Sequence, residues 1–214
     1  MNNTIIDDAI CYVKNIFSDD HSGHDYFHTL RVYNTATAIA KEENADLITV
    51  QLAALLHDVD DVKLSPKTHK YKDRAVGFLS EHGVTEDKIK EICTIIDEIS
   101  FNGTGSVVPK TVEGKCVQDA DRLDAIGAIG IARAFAYGGN HNRAMHDPEI
   151  EPAIYTTEEQ YRNNNSTTVN HFYEKLFLLK DLMNTATAKK IAEKRDEFMR
   201  AYVSEFLDEW DGIR

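Results

Sequence analysis

Residues 46–58 read Asp46-Leu47-Ile48-Thr49-Val50-Gln51-Leu52-Ala53-Ala54-Leu55-Leu56-His57-Asp58. Wound at 3.6 residues per turn, the stretch is apolar nearly all round. It therefore predicts a helix buried on every side rather than one with a wet face. The run ends abruptly on an imidazole and a carboxylate. Burying a carboxylate without a partner is costly, so Asp58 demands a cation or several hydrogen-bond donors. A metal ion supplies the first, and the neighbouring imidazole suits the same ion. A structural ion pair or a helix cap answers the demand equally well on spacing alone.

The same helical period recurs outward from this stretch. Ile5, Ile6, Ala9, Ile10, Val13, Ile16 and Phe17 mark a first helix, and a second is expected from about Asp25 to Glu43. Residues 59–71 read as a loop. Helices are expected near 72–81 and 86–99, with His82-Gly83 as a stop and Thr85 as a cap. A long pattern from about Val112 to Tyr137 predicts one helix ended by Gly138-Gly139. Residues 140–165 look like a loop excursion, and two further helices are expected at about 167–184 and 187–210. Phe172, Tyr173, Phe177, Phe198, Tyr202, Phe206 and Trp210 read as core between those last two. No alternating strand of useful length appears. The expectation is an all-α fold in one domain over 1–214, a helical bundle.

Composition narrows the function classes. The chain has 214 residues, 42% hydrophobic and 28% charged, which is ordinary for a folded soluble protein. Its 24 basic residues against 36 acidic ones leave a net charge of −12. Nucleic-acid polymers and anionic membrane surfaces call for the opposite sign, so neither is expected as a partner. The three cysteines, Cys11, Cys93 and Cys116, form no CxxC pair and no disulfide framework. With no visible signal peptide and no long apolar run, the expectation is a cytoplasmic protein. Phosphate-loop, GxGxxG, GxSxG and Glu-x-x-His patterns are all missing.

What remains is histidine and aspartate: His28, His57-Asp58, and Asp121 within Asp119-Ala120-Asp121-Arg122-Leu123-Asp124. These residues resemble the H…HD…D signature of HD-domain metal-dependent phosphohydrolases. The surrounding text is similar as well: Gly23-His24-Asp25-x-x-His28-x-x-Arg31-Val32, then Ala53 to Asp58, then Asp119 to Gly127. Asn170-His171-Phe172-Tyr173-Glu174-Lys175-Leu176 is similar to a small single-domain bacterial subgroup. The resemblance implies that His28, His57, Asp58 and Asp121 hold one divalent ion, with Mn, Mg, Fe, Co or Ni fitting two imidazoles and two carboxylates. It also implies hydrolysis of a phosphate ester or anhydride. An acidic residue three positions after the HD aspartate, here Asp61, is expected to assist the attacking water, with Asp60 a rival. His24 and Asp25 are further candidates beside the reaction, although Asp25 equally reads as a helix N-cap.

A phosphate substrate needs cations. Residues 161–200 carry 8 Lys or Arg against 5 acids, a local excess inside an acidic chain. Arg31, Lys63, Arg122, Lys175 and Arg195 are the candidates for substrate contact, with His171 lining the pocket. A solvated basic face is the alternative for most of them, a structural ion pair for Arg122, and a hydrogen-bonded core position for His171. The resemblance implies a small soluble phosphate, a nucleotide, as substrate for a monomer or homodimer. Cleavage of a nucleoside triphosphate to monophosphate and pyrophosphate comes first. 5'-Nucleotidase and cyclic-nucleotide phosphodiesterase activities are the alternatives. A non-catalytic phosphate-ligand sensor stands as the reading from another class.

Overall fold

A computed structural model describes residues 4–17, 25–61, 67–99, 107–153 and 166–214. Among these residues the regular structure is helical, with no strand. The α-helices are α1 (Ile5–Ile16), α2 (Tyr26–Glu42), α3 (Leu47–Leu56), α4 (Asp73–Glu81), α5 (Glu86–Ile99), α6 (Val112–Asp124), α7 (Gly127–Asn140), α8 (Thr168–Glu174) and α9 (Ala186–Trp210). A 3-10 turn spans Leu176–Leu182. The all-α expectation holds.

Contacts divide the described chain into two compact units, one up to Ile99 and again over Val107–Asp121, the other over Arg122–Arg214. In the first unit α3 is the axis. It packs against α1, α2 and α5, and its residues from Val50 onward, Gln51 apart, are buried. That is the environment its uniformly apolar sequence requires. Asp46 caps it, taking the Ile48 N–H at 3.1 Å. α1 opens with a capping box between Thr4 and Asp7, and α2 with an Asp25 cap. α4 lies against α5 and stops at Gly83, whose φ of +71° is the left-handed turn foreseen there. Gln118 on α6 donates its Nε2 to the carbonyls of Glu98, at 2.7 Å, and Val107, at 2.9 Å, tying α6 to both ends of the connection from α5.

In the second unit α7 packs on α8 and α9, with the 3-10 turn against both α8 and α9. Phe135, Phe172, Tyr202 and Phe206 gather with ring centroids about 6 Å apart, from 5.9 to 6.3 Å. The aromatic core is narrower than expected, because Tyr173, Phe198 and Trp210 stay 43–53% exposed.

Two helix expectations need correction. The pattern from Val112 to Tyr137 is two helices, α6 and α7, and not one. Ile126 is extended, Gly127 takes φ +77°, and a side chain at Gly130 would strike the Ala125 carbonyl. The chain thus turns between two stretches whose apolar periods look continuous. α7 also runs through Gly138-Gly139 to Asn140. The expected helix over 167–184 is α8 followed by the 3-10 turn, broken at Lys175, where φ is −143° and ψ −56°.

Candidate metal centre

The four residues expected to hold an ion all lie in the first unit. His28 sits in the first turn of α2, only 1% exposed. The Asp25 cap fixes that turn by accepting the His28 N–H at 2.7 Å. His57 is the residue on which α3 ends, and Asp58 follows in the next turn. Asp121 comes from α6. His28 Nε2 lies 3.5 Å from Asp58 Oδ2 and 3.5 Å from Asp121 Oδ1, and His57 Nε2 lies 3.2 Å from Asp58 Oδ2. The two imidazoles meet edge-on, centroids 5.3 Å apart.

The hydrogen bonding fixes the chemistry of this pocket. His57 Nδ1 donates to the Ala54 carbonyl at 2.8 Å. In the neutral ring that leaves a lone pair on Nε2, a buried atom with no hydrogen-bond partner, facing a carboxylate oxygen. Two acceptors at that separation repel unless a proton or a cation lies between them. Burial opposes the charged ring, but the Asp58 and Asp121 carboxylates outweigh it and raise the His57 pKa to about 9. The pocket therefore demands positive charge. One ligand atom each from His28, His57 and Asp58 falls within 4.8 Å of the others, a spacing that one ion spans. Two imidazole nitrogens with carboxylate oxygens fit a divalent first-row ion or Mg²⁺.

The other candidates are placed as follows. Asp61 donates its N–H to the Asp58 carbonyl at 3.0 Å and so follows the ligand pair by one turn. Arg31 lies three residues beyond His28 on α2. Arg122 is buried and donates to the Leu182 carbonyl. Arg195 donates to the Leu123 carbonyl at 2.5 Å and packs its stem over Gly127. Lys175 occupies the break after α8. His171, on α8, is held neutral, its pKa pushed to about 3 by burial and by the charges of Lys175 and Arg143. His24 and Lys63 lie outside the described residues.

One residue near the ligands has a role that local sequence does not announce. Asp60, read as a rival to Asp61, is buried and accepts the Arg74 and Ala75 N–H groups of α4. No helix among the described residues is long and apolar enough to cross a membrane.

Comparison with known proteins follows the same lines. The model of the HD domain matches residues 25–126. Bacillus subtilis YpgQ is 38% identical over 204 residues, covering 94% of this chain and 92% of that protein. The crystal structure of YpgQ in complex with ADP superposes with a TM-score of 0.76 at 36% identity, covering 96% of this chain and 100% of that one. An HD-superfamily hydrolase from Bacillus thuringiensis gives a TM-score of 0.77 at 42% identity over 96% of both chains. A Lactobacillus plantarum protein gives 0.85 at 42% identity over 99% of both.

Proposed function

The chain belongs to the HD family, and from that premise we propose that it is a metal-dependent hydrolase of nucleoside triphosphates, releasing the monophosphate and pyrophosphate. The observation that carries the reading is the convergence of buried His28, His57 and Asp58, with the part-exposed Asp121 beside His28, in a pocket that demands positive charge. The ADP held by YpgQ, a relative of matching length, supports a nucleotide as ligand. A divalent ion bound by these four side chains supplies Lewis acidity, polarising a phosphoryl oxygen and easing the ionisation of water.

The rest of the chemistry belongs to the chain. Asp61 orients the attacking water and takes its proton. The water oxygen bonds to the α-phosphorus as the bond to the α,β-bridging oxygen breaks, and pyrophosphate leaves with that electron pair. Arg31, one turn from His28, is the cation of the first unit proposed to hold phosphate. Lys175, Arg195, Arg122 and His171 of the second unit, with Lys63, are proposed to share in substrate binding, and Asp25 and His24 to assist at the reacting end. For Arg122 and Arg195 that role competes with their carbonyl partners.

The deciding experiment is a nucleotide panel with added Mn²⁺, Mg²⁺, Co²⁺ or Ni²⁺, scored for phosphate and pyrophosphate. Pyrophosphate from triphosphates is the expected product. Orthophosphate from monophosphates, or opening of a cyclic diester, would replace it with the corresponding phosphatase or phosphodiesterase activity. Bound nucleotide without turnover would make the chain a sensor.

A further inference from the structure

The turn that carries His57 and Asp58 is not held by α3 alone. α4 begins at Asp73 without a cap of its own. Its preceding residue, Lys72, is left-handed at φ 52° and makes no side-chain cap. Two amides of the first turn are satisfied instead from 14 and 15 residues upstream. Asp60 Oδ1 accepts the Arg74 N–H at 3.3 Å, and Oδ2 accepts the Ala75 N–H at 3.0 Å. The same stretch is gripped twice more. Arg74 Nη1 donates to the Val59 carbonyl at 3.2 Å, and His69 Nδ1 donates to the Asp60 carbonyl at 2.9 Å. The Tyr12 hydroxyl donates in turn to the Arg74 carbonyl at 3.3 Å, which joins α1 to the clamp.

We propose that Asp60 is a positioning residue for the metal centre: its carboxylate docks the His57-Asp58 turn onto the N-terminus of α4 and so fixes where the two ligands point. This deepens the function proposed above and rests on it. Only Val59 separates Asp60 from Asp58, so a shift of the Asp60 backbone cannot leave Asp58 unmoved. Each carboxylate oxygen is engaged by a different amide, and a negative charge at a helix N-terminus is favoured by the helix dipole. Both Asp60 oxygens are engaged by α4, which assigns Asp60 to the geometry of the ion site. Removing groups that orient metal ligands typically weakens metal affinity about 10–100-fold.

The test is Mn²⁺ affinity of the full-length, metal-free chain, measured by calorimetric titration beside thermal unfolding. Asp60→Ala is expected to weaken Mn²⁺ binding by about 10–100-fold while the protein stays folded at the titration temperature. Asp60→Asn keeps one acceptor oxygen but sets a donor against the other amide, and is expected to recover only part of that loss. Arg74→Met, which removes the tie to Val59 and leaves the cap, is expected to weaken binding a few-fold. Asp61→Asn is expected to leave the affinity unchanged. A merely structural cap would lower the unfolding temperature without moving the affinity of the folded protein, and that result would overturn the proposal. If Asp60→Ala does not fold, wild-type affinity in both Asp60→Asn and Arg74→Met overturns it. A wild-type chain that binds no Mn²⁺ overturns the proposed function itself, whereas tight wild-type binding with an unaffected Asp60→Ala overturns the clamp alone.

Discussion

His57 is buried in the first unit and His171 half-buried in the second, and their surroundings push them in opposite directions. His57 sits among the carboxylates of Asp58 and Asp121, which overcome burial and raise its pKa to about 9. His171 is lowered to about 3 by burial and by the nearby Lys175 and Arg143. Burial alone would have depressed both. The difference is the sign of the neighbouring charge. The first unit holds a pocket short of positive charge, as a cation site must be. The second holds a surplus of positive charge beside a neutral imidazole, which suits an anion. Elsewhere in the second unit two buried carboxylates meet guanidinium groups, Asp124 with Arg133 at 2.6 Å and Asp196 with Arg200 at 2.8 Å.

The sharpest way to break this contrast is at Asp61. If the carboxylate-rich pocket exists to hold an ion beside a water that Asp61 deprotonates, Asp61→Asn keeps Mn²⁺ and the fold. It loses kcat by about 10²–10⁴, with KM little changed, which is the usual worth of general-base help. Steady-state kinetics and metal content together check this. A silent Asp61→Asn would mean that the ion alone activates the water.

Stability against pH tests the two imidazoles directly. In the metal-free protein His57 has a folded pKa raised above its unfolded value of 6.5. Its contribution is complete below pH 6.5 and is lost as pH rises through about 9. His171 is shifted downward, so its contribution is complete above pH 6.5 and is lost as pH falls toward about 3. Each is worth a few kcal/mol at full expression, and a chain of this size moves by about 2–4 °C in Tm per kcal/mol. Thermal unfolding of His57→Gln should lack the alkaline slope and that of His171→Asn should lack part of the acid slope. Saturating Mn²⁺ should flatten the alkaline slope of the wild type. The same slope in His57→Gln as in wild type would remove the argument that the pocket seeks positive charge.

The smallest expected effects concern the cations. Arg31→Ala and Lys175→Ala should raise KM several-fold and weaken its dependence on salt, as expected when one phosphate contact is removed. Arg122→Met and Arg195→Met, whose guanidinium groups bind main-chain carbonyls, should show themselves first in Tm. Unchanged KM in both alanine variants would make the basic stretch a solvated face.

What could be read in advance follows the range of the interactions. α3 was legible because the apolar run from Leu52 to Leu56 fits only a buried helix, although Leu47 and Ile48 at its start stay exposed. His28, His57, Asp58 and Asp121 were legible because the motifs around them are themselves distinctive. The break at Gly127 was not, since apolar periodicity continues on either side and a positive φ leaves no trace in a pattern already rich in glycine. Asp60 was misplaced as a rival base because the amides it caps lie 14 and 15 residues away, and only the fold brings them to it. The carbonyl partners of Arg122 and Arg195, 60 and 72 residues distant, were hidden from the sequence for the same reason.

The central claim is that one divalent ion binds where His28, His57, Asp58 and Asp121 meet. Crystals of the wild-type chain and of Asp58→Ala, both grown with Mn²⁺, give the most direct measurement through the anomalous signal of manganese. The account expects a single strong peak in the wild type, about 2.0–2.3 Å from the two Nε2 atoms and from both carboxylates, and none there in Asp58→Ala. A wild-type chain that hydrolyses nucleotides with no peak at these four residues, or a peak undiminished in Asp58→Ala, would contradict it.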